Sequence, residues 1–303
     1  MIYQNKVRLL ICTQAVDKND PVLGFFHRWV EEFAKHFERV TVLCLREGEH
    51  TLPPNIAVVP LGAGRIRRVV NLLRQSIVCR EEYDAAFVHM NPEYLAVAGW
   101  LWQLMGKKTA LWYTHKSVNL RLRIAERFAD VVFTASPGSF RLPSSKVCVL
   151  GHGIDTDFFT PDLRTPRGDW ALSVGRLMKS KRHDLAIEAA ARAGQKLRIA
   201  GEGPERDNLE RLARELKARV TFLGPLSQTQ LREEYRKAAV LIHTSETGSL
   251  DKVVLEALAC SCPVRTNNPA LKELARQCPD YVRAHHSLSR LIPRIVSILA
   301  ADV

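Results

Sequence analysis

This sequence predicts an α/β protein made of two doubly wound, parallel-sheet halves, and three features carry that prediction. Short apolar runs alternate with helical patterns over most of the chain. Several of the runs are apolar at every position, as strands covered by helices on both faces are. The alternation breaks once, at a polar stretch with two prolines, and then restarts. Such a break marks a linker between domains.

In the first half, strands are expected at residues 7–12, 40–45, 56–61, 85–89, 109–113, 131–135 and 147–150. Helical patterns fill the gaps at 25–36, 65–79, 93–105 and 119–128. That rhythm gives parallel strands joined by helical crossovers. The break is Thr160-Pro161-Asp162-Leu163-Arg164-Thr165-Pro166-Arg167-Gly168-Asp169. Beyond it, strands are expected at 171–174, 197–200, 220–223, 240–244 and 263–266, with helices at 184–192, 205–217, 227–238 and 253–259. The expected organisation is a first Rossmann-like domain over 1–157, a linker over 158–169 and a second over 170–303. Ligands of such sheets sit beyond the carboxyl ends of the strands, so function is sought in the loops that follow strands.

At 303 residues, 46% apolar and 25% charged, the chain is neither disordered nor fibrous. Lys and Arg number 44 against 32 Asp and Glu, a net +12 that favours a polyanionic partner: nucleic acid, an acidic membrane surface or a phosphorylated small molecule. The seven cysteines are scattered and odd in number, which fits a reducing cytoplasm better than a disulfide framework. Cys260-Ser261-Cys262 lacks a second ligand pair at zinc spacing and reads as buried small residues. No signal peptide is visible, and the longest apolar stretch, Leu95 to Met105, is shorter than the roughly 18 residues that span a bilayer. It reads as a buried helix.

Three loops carry candidate chemistry. Gly175-Arg176-Leu177-Met178-Lys179-Ser180-Lys181-Arg182-His183 crowds four cations before a helix, a pattern suited to phosphate and also compatible with a solvated basic loop. Gly201-Glu202-Gly203-Pro204-Glu205 allows close backbone approach but lacks the third glycine of a dinucleotide fingerprint, so a plain strand-to-helix turn fits as well. Thr244-Ser245-Glu246-Thr247-Gly248-Ser249-Leu250-Asp251-Lys252 is small and polar and enters a helix. Its backbone N–H groups near Gly248, Ser249 and Leu250 are placed to hold a phosphate. Glu256, bordered by Val253, Val254, Leu255, Ala257 and Leu258, suits a partly buried acceptor for ligand hydroxyls better than a solvated face.

Taken in order, Val174-Gly175-Arg176-Leu177 with Lys181, Ala200 to Glu205, Val220 to Gly224, and Leu255 to Cys260 with Pro263-Val264 resemble glycosyltransferase family 4. Ala129 to Ser136 and Gly151 to Asp157 with Phe159 resemble the segments that end that family's first domain. The resemblance runs from about residue 7 to residue 275. It implies retaining transfer from a nucleotide-sugar donor on a GT-B fold, two Rossmann-like domains facing a cleft, with the acceptor on the first and the donor on the second. Carried over by position, Arg176 and Lys181 clamp the donor diphosphate and stabilise the departing charge, in place of a metal ion. Glu256 accepts from the ribose hydroxyls, Gly224 to Leu226 line the base pocket, and Gly203 and Gly248 to Lys252 complete the donor site. Gly24 matches a glycine-rich first loop reduced here to one glycine. His115 falls near the family's histidine on the acceptor side, against a capping role of equal weight, with His89 as rival.

The chain also departs from the family pattern. Gly248 stands where the first of two glutamates is usual, and Asp251 and Lys252 replace small or apolar residues, so Asp251 or Glu246 is a candidate for the sugar contact. Arg182 and Ser261 replace glycines. The long helix that crosses back to the first domain is expected to be largely missing, giving a shortened C-terminal end. Asp155 and Asp157 belong to the segment before the linker and are not expected to bind metal. Arg65, Arg67, Arg68 and Arg74 alternate with Ile66, Val69, Val70, Leu72 and Leu73, a pattern suited to an anionic bilayer surface, and equally to an ordinary helix with solvated arginines. No nucleic-acid module is visible.

The expected function is therefore a cytoplasmic retaining glycosyltransferase, peripheral on the inner face of the cell membrane. It moves a sugar from a nucleotide-diphosphate sugar to a hydroxyl of a lipid-linked or polysaccharide precursor of the cell envelope. The alternatives are a non-catalytic nucleotide-sugar-binding homologue and, further off, a nucleotide-sugar epimerase.

Overall fold

The computed structural model describes residues 5–20, 22–246 and 251–301. The chain divides into two compact units, one formed by residues up to Gly153 together with those from Leu288 onward, the other by Ile154–Ser287.

The first unit holds strands β1 (Asn5–Val16), β2 (Phe37–Glu47), β3 (Ile56–Pro60), β4 (Ala85–His89), β5 (Lys108–Trp112), β6 (Val131–Thr134) and β7 (Val147–Val149). They form a seven-stranded sheet in the order β3-β2-β1-β4-β5-β6-β7, with every pairing parallel. Side chains alternate across a strand, and both faces are covered. Leu9 and Ile11 point into a core with helix α1 (Gly24–Ala34), while Leu10 and Cys12 point into another with α2 (Arg65–Val78), α3 (Glu93–Leu104) and α4 (Leu120–Phe128). That double burial is why Leu9 to Cys12 is apolar at every position. Helix α3, expected from sequence to be buried, is buried on one side only: Leu95, Ala98 and Trp102 face the core, but Leu104 is 78% exposed and Trp100 46%.

The second unit holds β8 (Trp170–Val174), β9 (Lys196–Ala200), β10 (Val220–Gly224), β11 (Val240–His243) and β12 (Val264–Thr266), a parallel sheet in the order β10-β9-β8-β11-β12. Helices α5 (His183–Arg192), α6 (Arg206–Glu215), α7 (Gln228–Lys237), α8 (Lys252–Ala259) and α9 (Pro279–His286) flank it. The two sheets are thus Rossmann-like, as the sequence predicts.

Two boundaries are corrected. The stretch expected as a linker belongs to the second unit: Phe159 is buried in its core, Thr160 accepts from Arg236 Nε at 2.8 Å, and Arg167 donates to Ala238 O at 2.8 Å. The returning helix is not missing either. Helix α10 (Leu288–Leu299) puts Leu288, Leu291, Ile292, Ile295, Val296 and Leu299 into the core of the first unit. The spacing of those residues is helical, but Pro293 lies among them and disguises the pattern. No helix of the described residues is long and apolar enough to cross a membrane.

Candidate functional site

In the second sheet the strand order reverses between β8 and β11. The crevice beyond such a reversal is where open parallel sheets bind ligands. Three loops meet there. Residues 175–182 follow β8, 201–205 follow β9, and 244–246 follow β11. Gly201 and Gly203 let the first two loops pack backbone against backbone. Both have positive φ, +137° and +159°, and an added Cβ would lie 2.0 Å from Gly175 O at the first and 2.5 Å from Leu177 O at the second. Leu177 N donates to Glu202 O at 2.9 Å and Glu205 N to Leu177 O at 3.0 Å, which locks them together. Thr244 Oγ1 ties the third loop to the first by donating to Arg182 O at 2.7 Å, and Glu246 N donates to Ser180 O at 3.2 Å.

The cations of the first loop divide in two. Arg182, held at φ +51°, forks onto Asp184 and also reaches Glu246. Lys181 Nζ lies 3.5 Å from Asp251 Oδ2, and His243 Nε2 lies 2.8 Å from the same oxygen. Burial pushes the Asp251 carboxyl up, but the His243 hydrogen bond and the Lys181 charge more than reverse this and hold it at about 2. Arg176 and Lys179 are exposed and form no ion pair among the described residues. Beneath the loop, His183 is buried with Nδ1 2.9 Å from Ser173 Oγ; burial pushes its ring down to about 4, so it is neutral at pH 7.

Glu256 is buried inside α8, with Oε1 2.9 Å from Lys252 Nζ and Oε2 accepting from Tyr235 OH at 3.2 Å. Burial lowers the Lys252 ammonium, partly offset by Glu256. Burial and the neighbouring carboxylate both push the Tyr235 phenol well above its ordinary value.

In the first unit the order reverses between β1 and β4. His89 ends β4 there, buried, with Nδ1 3.2 Å from Thr13 Oγ1 and its ring stacked on Phe26 at 3.8 Å. His115 is exposed, its Nδ1 2.7 Å from Ser117 Oγ and accepting from Ser117 N at 3.1 Å, which is a loop-capping geometry. Gly24 opens α1 with its N–H on Asp20 O, and an added Cβ would meet Lys18 O at 2.9 Å. Asp20 Oδ1 takes the N–H groups of Val22 and Leu23 at 2.8 Å, so this loop satisfies its own amides.

Residues 160–277 match the family model of glycosyl transferases group 1. This segment is a group 1 glycosyl transferase domain. A D-inositol 3-phosphate glycosyltransferase of Mycobacterium leprae is 36% identical to the chain over 141 residues, which cover 41% of this chain and 33% of the relative. The chain thus matches about a third of that relative's length. Among solved structures, Anabaena HepE in complex with UDP and glucose has a TM-score of 0.68 at 16% identity, covering 96% of this chain and 95% of that one. WaaG, a glycosyltransferase involved in lipopolysaccharide biosynthesis, has a TM-score of 0.66 at 14% identity, covering 96% and 99%. These likenesses show the fold.

Within the glycosyl transferase domain, the structure brings Lys181 and Asp251 together and places Arg176 and Gly203 on loops that touch. Leu226 is partly buried beside the core of the second unit, after Gly224 O has accepted from Gly201 N. Lys252 and Glu256 pair one turn apart. Gly248, Ser249 and Leu250 lie outside the described residues. Sequence reasoning missed His243 and Tyr235. The position of His243 at the carboxyl end of a strand was a usable signal; Tyr235, on a helix next to α8, offered none.

Proposed function

We propose that this chain is a retaining glycosyltransferase that moves a sugar from a nucleotide-diphosphate sugar to a hydroxyl of a lipid-linked or polysaccharide precursor, working in the cytoplasm at the inner face of a membrane. The observation that carries the reading is the meeting of three strand-following loops in the glycosyl transferase domain, where Gly201 and Gly203 permit close backbone packing and Arg176 and Lys181 supply charge. When the glycosidic bond to the diphosphate breaks, negative charge grows on the leaving oxygen. Each well-placed cation lowers that barrier by about two to four kcal/mol, and here the pair serves in place of a metal ion. The leaving phosphate oxygen takes the proton of the acceptor hydroxyl, which approaches on the same face. HepE holding UDP and glucose supports a donor of this class. His115 is the candidate contact on the acceptor side.

A second reading, donor binding without turnover, is favoured by one observation: carboxylate Asp251 already sits on Lys181, and ammonium Lys252 already sits on Glu256. A ribose contact at Glu256 therefore requires Lys252 to yield.

A thermal-shift panel of UDP, GDP, ADP and their sugar conjugates, with wild type beside Arg176→Ala and Lys181→Ala, tests both. A shift with one nucleotide family that the variants lose, followed by sugar release or transfer, supports the enzyme. A shift without turnover supports the second reading. No shift with any nucleotide overturns both.

A further inference from the structure

The loop that carries Arg176 and Lys181 has few anchors of its own. Gly175 brings no side chain, and Arg176 is exposed and forms no ion pair among the described residues. Bonds to the neighbouring loop hold one side: Gly175 N donates to Ala200 O at 3.0 Å and Leu177 N to Glu202 O at 2.9 Å. The underside rests on His183.

His183 opens α5, directly after Arg182 in its left-handed conformation. Side chains of a first helical turn lean back toward the N-terminus, so this ring lies beneath the loop that precedes the helix. It is 2% exposed. Its Nδ1 is fixed to strand β8 by Ser173 Oγ at 2.9 Å. Its Nε2 is buried and closes no hydrogen bond among the described residues. That nitrogen faces the turn above it: a Cβ added at Gly175 would lie 3.6 Å from Nε2 and 3.7 Å from Lys181 Cδ. Ring, glycine and lysine stem are thus layered one on the next. The backbone of Gly175 and Arg176 favours a proton on the ring, as carbonyl acceptors do. The ring is neutral at pH 7. With the Ser173 hydroxyl donating to Nδ1, its one hydrogen is on Nε2 and aimed at those carbonyls. An apolar side chain would fill the same space without desolvating a polar nitrogen. What the nitrogen does there must lie in the turn it faces.

We propose that His183 is the positioning residue of the donor loop: its Nε2–H attracts the backbone carbonyls of the Gly175-Arg176 turn and so sets where the Arg176 guanidinium and the Lys181 ammonium stand to meet a diphosphate. The inference rests on the donor reading for its ligand, and on the loop alone for its geometry.

The test compares His183→Leu, which keeps an apolar filler, with His183→Gln, whose amide nitrogen reaches the place of Nε2. Amide hydrogen exchange of residues 175–177 is expected to rise about tenfold in His183→Leu, with β8 and β9 unchanged, and to return to within about threefold of wild type in His183→Gln. Titration with UDP and GDP is expected to show that His183→Leu holds whichever of them binds wild type about tenfold more weakly, and that His183→Gln restores the affinity. In an Arg176→Ala background the His183→Leu loss is expected to vanish, since the two act as one unit. A side chain that only fills the core would make the two variants alike and would add to Arg176→Ala; either result overturns the proposal. Unchanged exchange in folded His183→Leu overturns it too. Ser173→Ala, which frees Nδ1, is expected to give the same rise in exchange and replaces His183→Leu should that variant lose its fold. If wild type binds neither nucleotide, the donor reading fails by itself, and the exchange comparison decides the role of His183.

Discussion

The carboxylate of Asp251 stands 3.5 Å from the ammonium of Lys181, and His243 reaches the same oxygen at 2.8 Å. A side-chain anion thus occupies the counter-ion position beside Lys181 that the proposed reading gives to a donor phosphate. Asp251→Asn keeps the shape and removes the charge. Nucleoside diphosphates are expected to bind the variant about tenfold more tightly, roughly 1.4 kcal/mol, by isothermal titration with UDP and GDP. Weaker binding would mean that the carboxylate helps to hold the donor.

Glu256 is the acceptor for both Tyr235 and Lys252. Glu256→Ala removes the negative member of a buried pair and is expected to cost about 3 kcal/mol in urea denaturation. Lys252→Met with Glu256→Gln removes both charges and keeps an acceptor for Tyr235, so the double variant is expected to lose less than Glu256→Ala alone. Equal losses would show that the pair is not coupled.

Two glycines of the second unit separate strain from crowding. Gly201→Ala sets a Cβ 2.0 Å from Gly175 O at φ +137°, whereas at Gly194, φ +60°, nothing lies within 4 Å. Gly194→Ala is expected to cost about 1 kcal/mol, the ordinary penalty of a left-handed non-glycine residue. Gly201→Ala is expected to cost several times that and to abolish nucleotide-induced thermal shifts. Calorimetric melting of the two variants side by side decides it.

His183 titrates at about 4 in the folded chain because burial disfavours its charged form. The unfolded chain binds a proton near pH 6.5, so the unfolded state holds more protons between those values. Stability therefore rises with pH from about 4 to 6.5, by an amount on the order of 3 kcal/mol for this group. His286, also lowered to about 4 by burial, adds in the same direction. Asp251 acts lower: its contribution is present above about pH 4 and is lost as pH falls toward 2. His183→Gln is expected to flatten the slope between pH 4 and 6.5, read from melting temperatures. An unchanged slope would place the titration elsewhere.

Every strand of both sheets is legible in the sequence: central ones such as Leu9 to Cys12 and Val131 to Phe133 because a strand buried on two faces is apolar throughout, and partly buried ones such as Lys196–Ala200 and Val264–Thr266 from the alternation of short strand runs with helical patterns. The returning helix was not, since Pro293 interrupts its spacing. Nor was the packing of residues 158–169, which rests on Arg167 and Arg236 reaching backbone carbonyls. The loops of the candidate site could be picked out by their glycines and cations. The pairing of Lys181 could not, because Lys181 and Asp251 meet across loops from different strands. Lys252 and Glu256, four apart, could have been read as a helical pair from spacing alone.

Because α10 completes the core around Trp29, Phe33 and Phe37, the first unit is assembled from two stretches of chain with the whole second unit threaded between them. A ribosome that has made the seven-stranded sheet has not yet made its cover. During synthesis the apolar face beside α1 must wait for residues 288–299, about 130 residues after Gly153. Until then the nascent sheet exposes apolar surface of the kind that promotes aggregation.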